Sequence, residues 1–129
     1  MARILSIDFG EQHVGLALGD SDEGFVVTKP ALVGLDTPSL FAALDRLIAV
    51  EHVDELLVGL PLTLAGRASR QTQAAQAFID ALRHRLAIPV RTADERLTTS
   101  QARRAGVSED DSAAAALLLT AELERRKHA

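Results

Sequence analysis

The spacing of apolar residues changes along the chain, from strand-like alternation near the amino terminus to helical periodicity beyond it. Residues 3–9 and 14–19 read as two buried strands joined by a tight connection, and residues 25–33 suggest a third. Pro30 restricts this third strand to a sheet edge, a bulge or a strand end. Three consecutive strands this close in sequence should form an antiparallel meander.

Helical spacing begins after residue 36, where Asp36 or Thr37 can cap a helix that has Pro38 in its first turn. The remaining predicted elements are, in order, a strand at 55–59, a helix after the turn at 64–66, a strand at 89–92, a short helix at 99–105 and a last helix from about 110 to 126. Right-handed crossovers would make the last two strands parallel. The sequence therefore predicts an α/β fold in one domain, residues 1–129, with a five-stranded mixed sheet flanked by helices.

Length and composition exclude several classes of protein. A chain of 129 residues can bury a core without disulfides, and the absence of cysteine removes disulfide frameworks, thiolate metal sites and cysteine nucleophiles. No apolar run approaches membrane-spanning length, and the amino terminus leads directly into a strand-like segment. We therefore expect a cytoplasmic protein that does not associate with membranes.

The net charge of -4 conceals an uneven distribution. Residues 1–58 carry three basic and ten acidic side chains, whereas residues 59–108 carry eight arginines against three acids. Arginine suits bidentate contact with phosphate, although such residues can equally form ordinary solvated helix faces. With no Trp or Tyr for base stacking, a nucleic-acid partner would be recognised through phosphates and shape. The candidate phosphate contacts in this segment are Arg67, Arg70, Arg96, Arg103 and Arg104.

Acidic residues fall where predicted strands end or helices begin. Asp8 closes the first strand, followed by Gly10 and Gly15, which would let a phosphate approach the backbone. The pair at positions 94 and 95 follows the fifth strand, and the pair at 110 and 111 precedes the last helix. Each acid has a plain alternative role in a turn or helix cap. Together they suit a divalent metal held over a phosphate ester.

Four motifs in order give the chain its resemblance to a known family. They are Asp8-Phe9-Gly10 with Gly15, Gly59-Leu60-Pro61-Leu62, Asp94-Glu95-Arg96-Leu97-Thr98-Thr99 and Asp111-Ser112-Ala113-Ala114-Ala115. In order and spacing they resemble the bacterial YqgF/RuvX family over essentially the whole chain. That family is described both as a Holliday-junction resolvase and as a nuclease that matures the 5′ end of 16S ribosomal RNA.

The resemblance implies a ribonuclease H-like fold and metal-dependent cleavage of a phosphodiester. By position within the motifs it implies Asp8, Glu95 and Asp111 as the catalytic, metal-binding acids, with Mg²⁺ or Mn²⁺, two ions in all, as cofactor. Many relatives have a lysine- and glycine-rich segment before the last-helix aspartate, whereas this chain has the acidic stretch 106–110 there. Asp111 is preferred to Asp110 because Ala114 and Ala115 complete the family's Asp-x-x-Ala-Ala pattern.

The sequence allows four interpretations of the function. The first is an endonuclease acting on structured RNA in 5′-end processing of precursor 16S rRNA, and the second is a junction resolvase acting on branched DNA. A resolvase needs paired subunits, for which the sequence offers no clear surface, so we expect a monomer or weak homodimer. The third is a nucleic-acid-binding module without catalysis, which retention of all three acids opposes. An actin-like ATPase or sugar kinase would need two such lobes, and 129 residues provide one.

Overall fold

Five strands form one mixed sheet in the computed structural model, which describes residues 2–10, 12–61, 69–94 and 111–127. The spatial order of the strands is β3-β2-β1-β4-β5. In chain order the elements are β1 (Arg3–Phe9), β2 (His13–Asp20), β3 (Val26–Val33), α1 (Thr37–Val50), β4 (Glu55–Leu60), α2 (Arg70–Arg85), β5 (Val90–Asp94) and α3 (Asp111–Lys127). The predicted short helix at 99–105 lies outside the described residues.

The pairing of the strands confirms the predicted meander and crossovers. Strands β1, β2 and β3 are antiparallel neighbours, and β4 and β5 run parallel to β1. In the β2–β3 ladder, Val14 pairs with Leu32 but Leu16 pairs with Lys29, so β3 has one extra residue at this point. Pro30 lies within that irregularity, on an edge strand, as its missing N–H requires.

Alternation along the strands divides the core into two layers. Leu5 and Ile7 of β1 face α1 and α2, together with Leu56 and Val58 of β4. Ile4 faces the opposite side and packs with Leu119 of α3. The central strands are therefore covered on both faces, and every even-numbered residue of β1 points towards the α3 side.

Capping side chains fix where two helices begin. Asp36, rather than Thr37, caps α1, because its carboxylate accepts a hydrogen bond from the N–H of Ser39 at 2.8 Å. Helix α2 begins at Arg70 with a reciprocal capping box between Ser69 and Thr72. The Thr72 hydroxyl also donates to the carbonyl of Pro61, just beyond β4. Among the described helices, none has the length and apolarity needed to cross a membrane.

Small residues on β2 let α3 pack close to the sheet. Gly15, Ala17 and Gly19 alternate with the buried Leu16 and Leu18, and Ala17 belongs to the same cluster as Leu119 of α3. A Cβ on Gly19 would lie 2.8 Å from Leu119 Cδ2 and 2.8 Å from the carbonyl oxygen of Phe25. Gly19 is thus required by close packing.

Gly19→Ala is therefore expected to lower the free energy of unfolding by about 1–3 kcal/mol, the usual cost of overpacking a core. The Leu119 side chain can shift, but the Phe25 carbonyl belongs to the backbone and yields less easily. Urea denaturation followed by circular dichroism measures the change. Gly24→Ala is the comparison variant, in which backbone strain acts without any clash. Position 24 has open space around it, but its positive φ of 75° is unfavourable for alanine. Loss of stability at position 24 with none at position 19 would contradict the packing argument.

Candidate active site at the carboxyl edge of the sheet

The parallel strands β1, β4 and β5 end at the same edge of the sheet, which is where ligands bind in open α/β sheets. Asp8 lies one residue before the end of β1, and Asp94 is the last residue of β5. Strand β2 runs in the opposite direction and begins at this edge with His13. The start of α2 is also held here, through the bond from Thr72 to Pro61. The ends of these strands therefore lie together at one edge of the sheet.

Of the three predicted metal ligands, Asp8 is the one whose side chain is among the described residues. It shares a face of β1 with Ile4 and therefore points towards the side covered by α3. Its Cα partner on β2 is Gly15, which contributes no side chain on that face. The carboxylate is partly buried and makes no hydrogen bond or ion pair with the described residues. No cation among the described residues neutralises this carboxylate, so it is available as an oxygen ligand for a metal ion.

Helix α3 begins on the same face and is tied to the sheet by its second residue. The Ser112 hydroxyl donates to the carbonyl of Lys29 at 2.6 Å and accepts from the N–H of Leu16 at 3.3 Å. Leu16 pairs with Ile7, and the adjoining pair joins Gly15 and Asp8. Asp111, the first residue of α3, is therefore held at the level of Asp8 along the sheet.

Asp94 lies on the opposite face of the sheet from Asp8. Asp94 pairs with Leu60, whose side chain packs against the α1 and α2 layer. Ala93 packs instead with the α3 layer, so Asp94 points away from the face of Asp8. Glu95 lies outside the described residues. No three Asp, Glu or His side chains in the described ranges are grouped closely enough to hold a metal ion.

The predicted substrate contacts are only partly described. Gly10 forms the tight turn after β1, where its N–H donates to the His13 carbonyl at 3.0 Å, and an added Cβ would lie 2.7 Å from that oxygen. Arg70 is exposed at the start of α2. Roles in substrate binding stay predictions for both. Four further predicted residues, together with Asp110, lie outside the described residues: Arg67, Arg96, Arg103 and Arg104.

Three other arginines of the basic segment serve the fold. Arg83 donates to the Val90 carbonyl, Arg85 pairs with Asp45 at 2.6 Å, and Arg91 pairs with Glu55 at 3.0 Å. The hydrogen bond and charge of Asp45 raise the pKa of Arg85. None of these three was among the predicted phosphate contacts. The excess of arginine in residues 59–108 therefore overstates the charge available to a substrate.

Sequence reasoning missed the part played by Ser112. The residue stood within a recognised motif, yet its bonds reach Leu16 and Lys29, which are 96 and 83 residues away along the chain. One signal was available, because Ser112 is a polar residue at the start of a run of small apolar ones. It is only 2% exposed, so a hydroxyl at that position must find a partner.

Known proteins resemble this chain in both sequence and fold. A protein of Chloroflexus aggregans named "Putative pre-16S rRNA nuclease" is 33% identical over 135 residues, which cover 97% of this chain and 95% of that protein. The structure of T. thermophilus RuvC in complex with Holliday junction substrate aligns with a TM-score of 0.67 at 12% identity, covering 99% of this chain and 97% of that one. This likeness confirms the expected ribonuclease H-like fold.

A larger protein, solved with a bound sugar, shares part of this fold. A ROK family protein from Streptococcus pneumoniae in complex with sucrose aligns with a TM-score of 0.55 at 16% identity. The match covers 83% of this chain but 39% of that protein, so the shared fold is less than half of the larger molecule.

The family model "RuvX: Holliday junction resolvase" matches residues 2–125. The chain therefore belongs to the RuvX family, as its four motifs indicated.

Proposed function

We propose that this protein is a metal-dependent endonuclease that hydrolyses phosphodiester bonds. Membership of the RuvX family and the name carried by its relatives support a nuclease. The single observation that carries the proposal is the Asp8 carboxylate, unpaired within the described residues, at a sheet edge over which Ser112 anchors the start of α3. No packing role in the described structure accounts for an acid at this position.

Asp8, Glu95 and Asp111 would hold two Mg²⁺ or Mn²⁺ ions. Their carboxylates are hard oxygen donors, which favour these metals over zinc. When bound, the ions supply Lewis acidity and activate water for an in-line displacement. The chain itself contributes Asp8 on the face covered by α3, the tight turn at Gly10 that would bring backbone close to the substrate, and positive charge at Arg70.

The substrate we favour is structured precursor 16S rRNA, cut near its 5′ end. Relatives that match nearly the full chain carry the name of a pre-16S rRNA nuclease. The alternative is a four-way DNA junction, which the family description names and the RuvC complex contains. Symmetric cleavage of a junction requires two active sites related by a twofold axis, and hence a stable dimer.

The test is cleavage of labelled precursor rRNA and a labelled four-way junction, side by side, with Mg²⁺ or Mn²⁺. We expect rRNA cleavage that EDTA and Asp8→Asn both abolish. Paired, symmetric cuts in the junction by a stable dimer, with intact rRNA, would overturn our preference of substrate. Metal-independent binding of either nucleic acid without cleavage would favour the inactive module instead.

Metal should stabilise the wild type more than Asp8→Asn, because a ligand that binds only the native state raises the melting temperature by mass action. Without metal, converging carboxylates repel, so Asp8→Asn should be as stable as the wild type or more so. Differential scanning fluorimetry with EDTA and with increasing Mn²⁺ gives both values. Equal metal-induced shifts in the two proteins would contradict a site built on Asp8.

Binding of nucleic acid should weaken steeply with salt if arginines contact its phosphates. Removing one contact should lower the slope of log affinity against log salt by roughly 0.7–0.9. Arg70→Gln is the variant to test, and Arg85→Gln removes the same charge from the other end of α2. The two ends are about 22 Å apart at 1.5 Å per residue. Fluorescence anisotropy at several salt concentrations should show the smaller slope for Arg70→Gln alone, and equal slopes for both variants would remove Arg70 from the substrate path.

A further inference from the structure

Ser112 joins α3 to the sheet at the point where the pairing of β2 with β3 is irregular. The ladder shifts register between the pairs Val14–Leu32 and Leu16–Lys29, and Pro30 has no N–H to continue it. The Ser112 hydroxyl bonds to both backbone groups that face each other there, the N–H of Leu16 and the carbonyl of Lys29. At 2% exposure, these bonds have little competition from water.

These two hydrogen bonds, the Ser112 tether, hold α3 to the sheet close to Asp8. Leu16 is the Cα partner of Ile7, and the next pair joins Gly15 to Asp8. Directly opposed residues of antiparallel strands lie about 4.5–5.5 Å apart, so the anchored point is one residue from the position facing Asp8. Asp111 is covalently joined to Ser112 and opens the helix. A displacement of Ser112 would therefore move Asp111 relative to Asp8.

We propose that Ser112 is a positioning residue for metal binding, which sets the distance between Asp111 and Asp8 by fixing the first turn of α3 to the β2–β3 bulge. This inference rests on the proposed metal site. Metal ligands must be held within about 0.5 Å of their productive geometry, and the first turn of a helix lacks the full set of backbone bonds. The hydroxyl of Ser112 supplies the restraint that the helix alone does not.

The decisive measurement is Mn²⁺ affinity by isothermal titration calorimetry, at a temperature where circular dichroism shows each variant folded. Ser112→Ala is expected to weaken Mn²⁺ binding about tenfold or more, the usual effect of removing a group that orients a metal ligand. Ser112→Thr retains the hydroxyl and should recover most of the affinity. If Ser112→Ala does not fold, Ser112→Cys keeps the volume with a weaker donor, and its Mn²⁺ affinity should likewise fall below that of Ser112→Thr.

A control separates positioning from loss of stability. Ala115→Gly lies on the same helix at a fully buried position and destabilises it by about 1 kcal/mol without touching the tether. It should leave Mn²⁺ affinity unchanged. If Ala115→Gly weakens binding as much as Ser112→Ala, the effect is general destabilisation and the proposal is wrong.

A double-mutant cycle with Asp111→Asn tests whether Ser112 acts through Asp111. Once Asp111 is neutralised, adding Ser112→Ala should cause no further loss of Mn²⁺ affinity, and additive losses would overturn the proposal. Wild-type affinity in Asp111→Asn alone would remove Asp111 from the ligand set and with it the proposed site. Weakened binding in Asp111→Asn together with normal binding in Ser112→Ala would refute only the role of Ser112.

Discussion

Asp8→Asn is expected to reduce phosphodiester cleavage by roughly 100- to 1,000-fold or more, the scale of removing one preorganised charge from an active site. The amide keeps the shape of the side chain but loses the negative charge that would hold a divalent ion. Glu95→Gln and Asp111→Asn should have effects of the same order, because the three carboxylates are proposed to share the metal ions. Single-turnover cleavage of the preferred substrate at saturating Mg²⁺ measures each rate.

Asp94→Asn is the matched control for these variants. It removes the same charge from an adjacent position, but Asp94 pairs with Leu60 and points to the α1 and α2 layer, away from Asp8. Its cleavage rate should stay within an order of magnitude of the wild type. Full activity in Asp8→Asn, Glu95→Gln or Asp111→Asn would remove that residue from the set of three metal ligands. A loss in Asp94→Asn as large as theirs would show that choosing Glu95 over Asp94 as the metal ligand was wrong.

The sheet and its helices could be predicted because their signals are local. Alternating apolar residues predicted the first strands, and Pro30 predicted an edge, a bulge or a strand end. The structure has Pro30 beside a bulge on an edge strand. The Asp36 cap likewise depends on a neighbour three residues away. The parallel or antiparallel direction of each strand then followed from connection lengths and the handedness of crossovers, which leave few alternatives for a chain of this size. The spatial order of the strands comes from the structure.

The interactions that hold α3 in place could not be predicted, because they join residues distant in sequence. Ser112 depends on the register of two strands, and Arg126 bonds to Glu55, 71 residues earlier in the chain. The family resemblance supplied Glu95 as a candidate, but periodicity alone left Asp94 and Glu95 equivalent. In the structure, the alternation of β5 places Asp94 on the face opposite to Asp8.

The carboxyl-terminal end of α3 is fixed by a cluster of two buried acids around Arg126. Its guanidinium lies 2.5 Å from Glu55 Oε1 and 2.8 Å from Glu122 Oε2. Each acid has one further partner, Arg91 for Glu55 and Arg125 for Glu122, and these are 58% and 70% exposed. Burial alone would raise the pKa of Glu122, but hydrogen bonds from Arg125 and Arg126 outweigh it and hold that pKa below its usual value of 4.5.

Arg126→Met is expected to lower the free energy of unfolding by about 2–3 kcal/mol at neutral pH, because it leaves two buried carboxylates near each other with only exposed partners. Arg125→Met, which removes an exposed partner of Glu122, should cost clearly less, because solvent screens an exposed ion pair. Urea denaturation of both variants and the wild type gives the comparison.

The pH dependence of this difference identifies its cause. A carboxyl whose folded pKa is depressed contributes stability above its unfolded pKa, and that contribution is lost as the pH falls through the folded value. For Glu122 the wild type should therefore hold its advantage over Arg126→Met above about pH 4.5 and lose it progressively below. A gap between the two proteins that is the same at pH 7 and at about pH 3.5 would show that Arg126 stabilises α3 by packing its aliphatic stem, and that its charge contributes little.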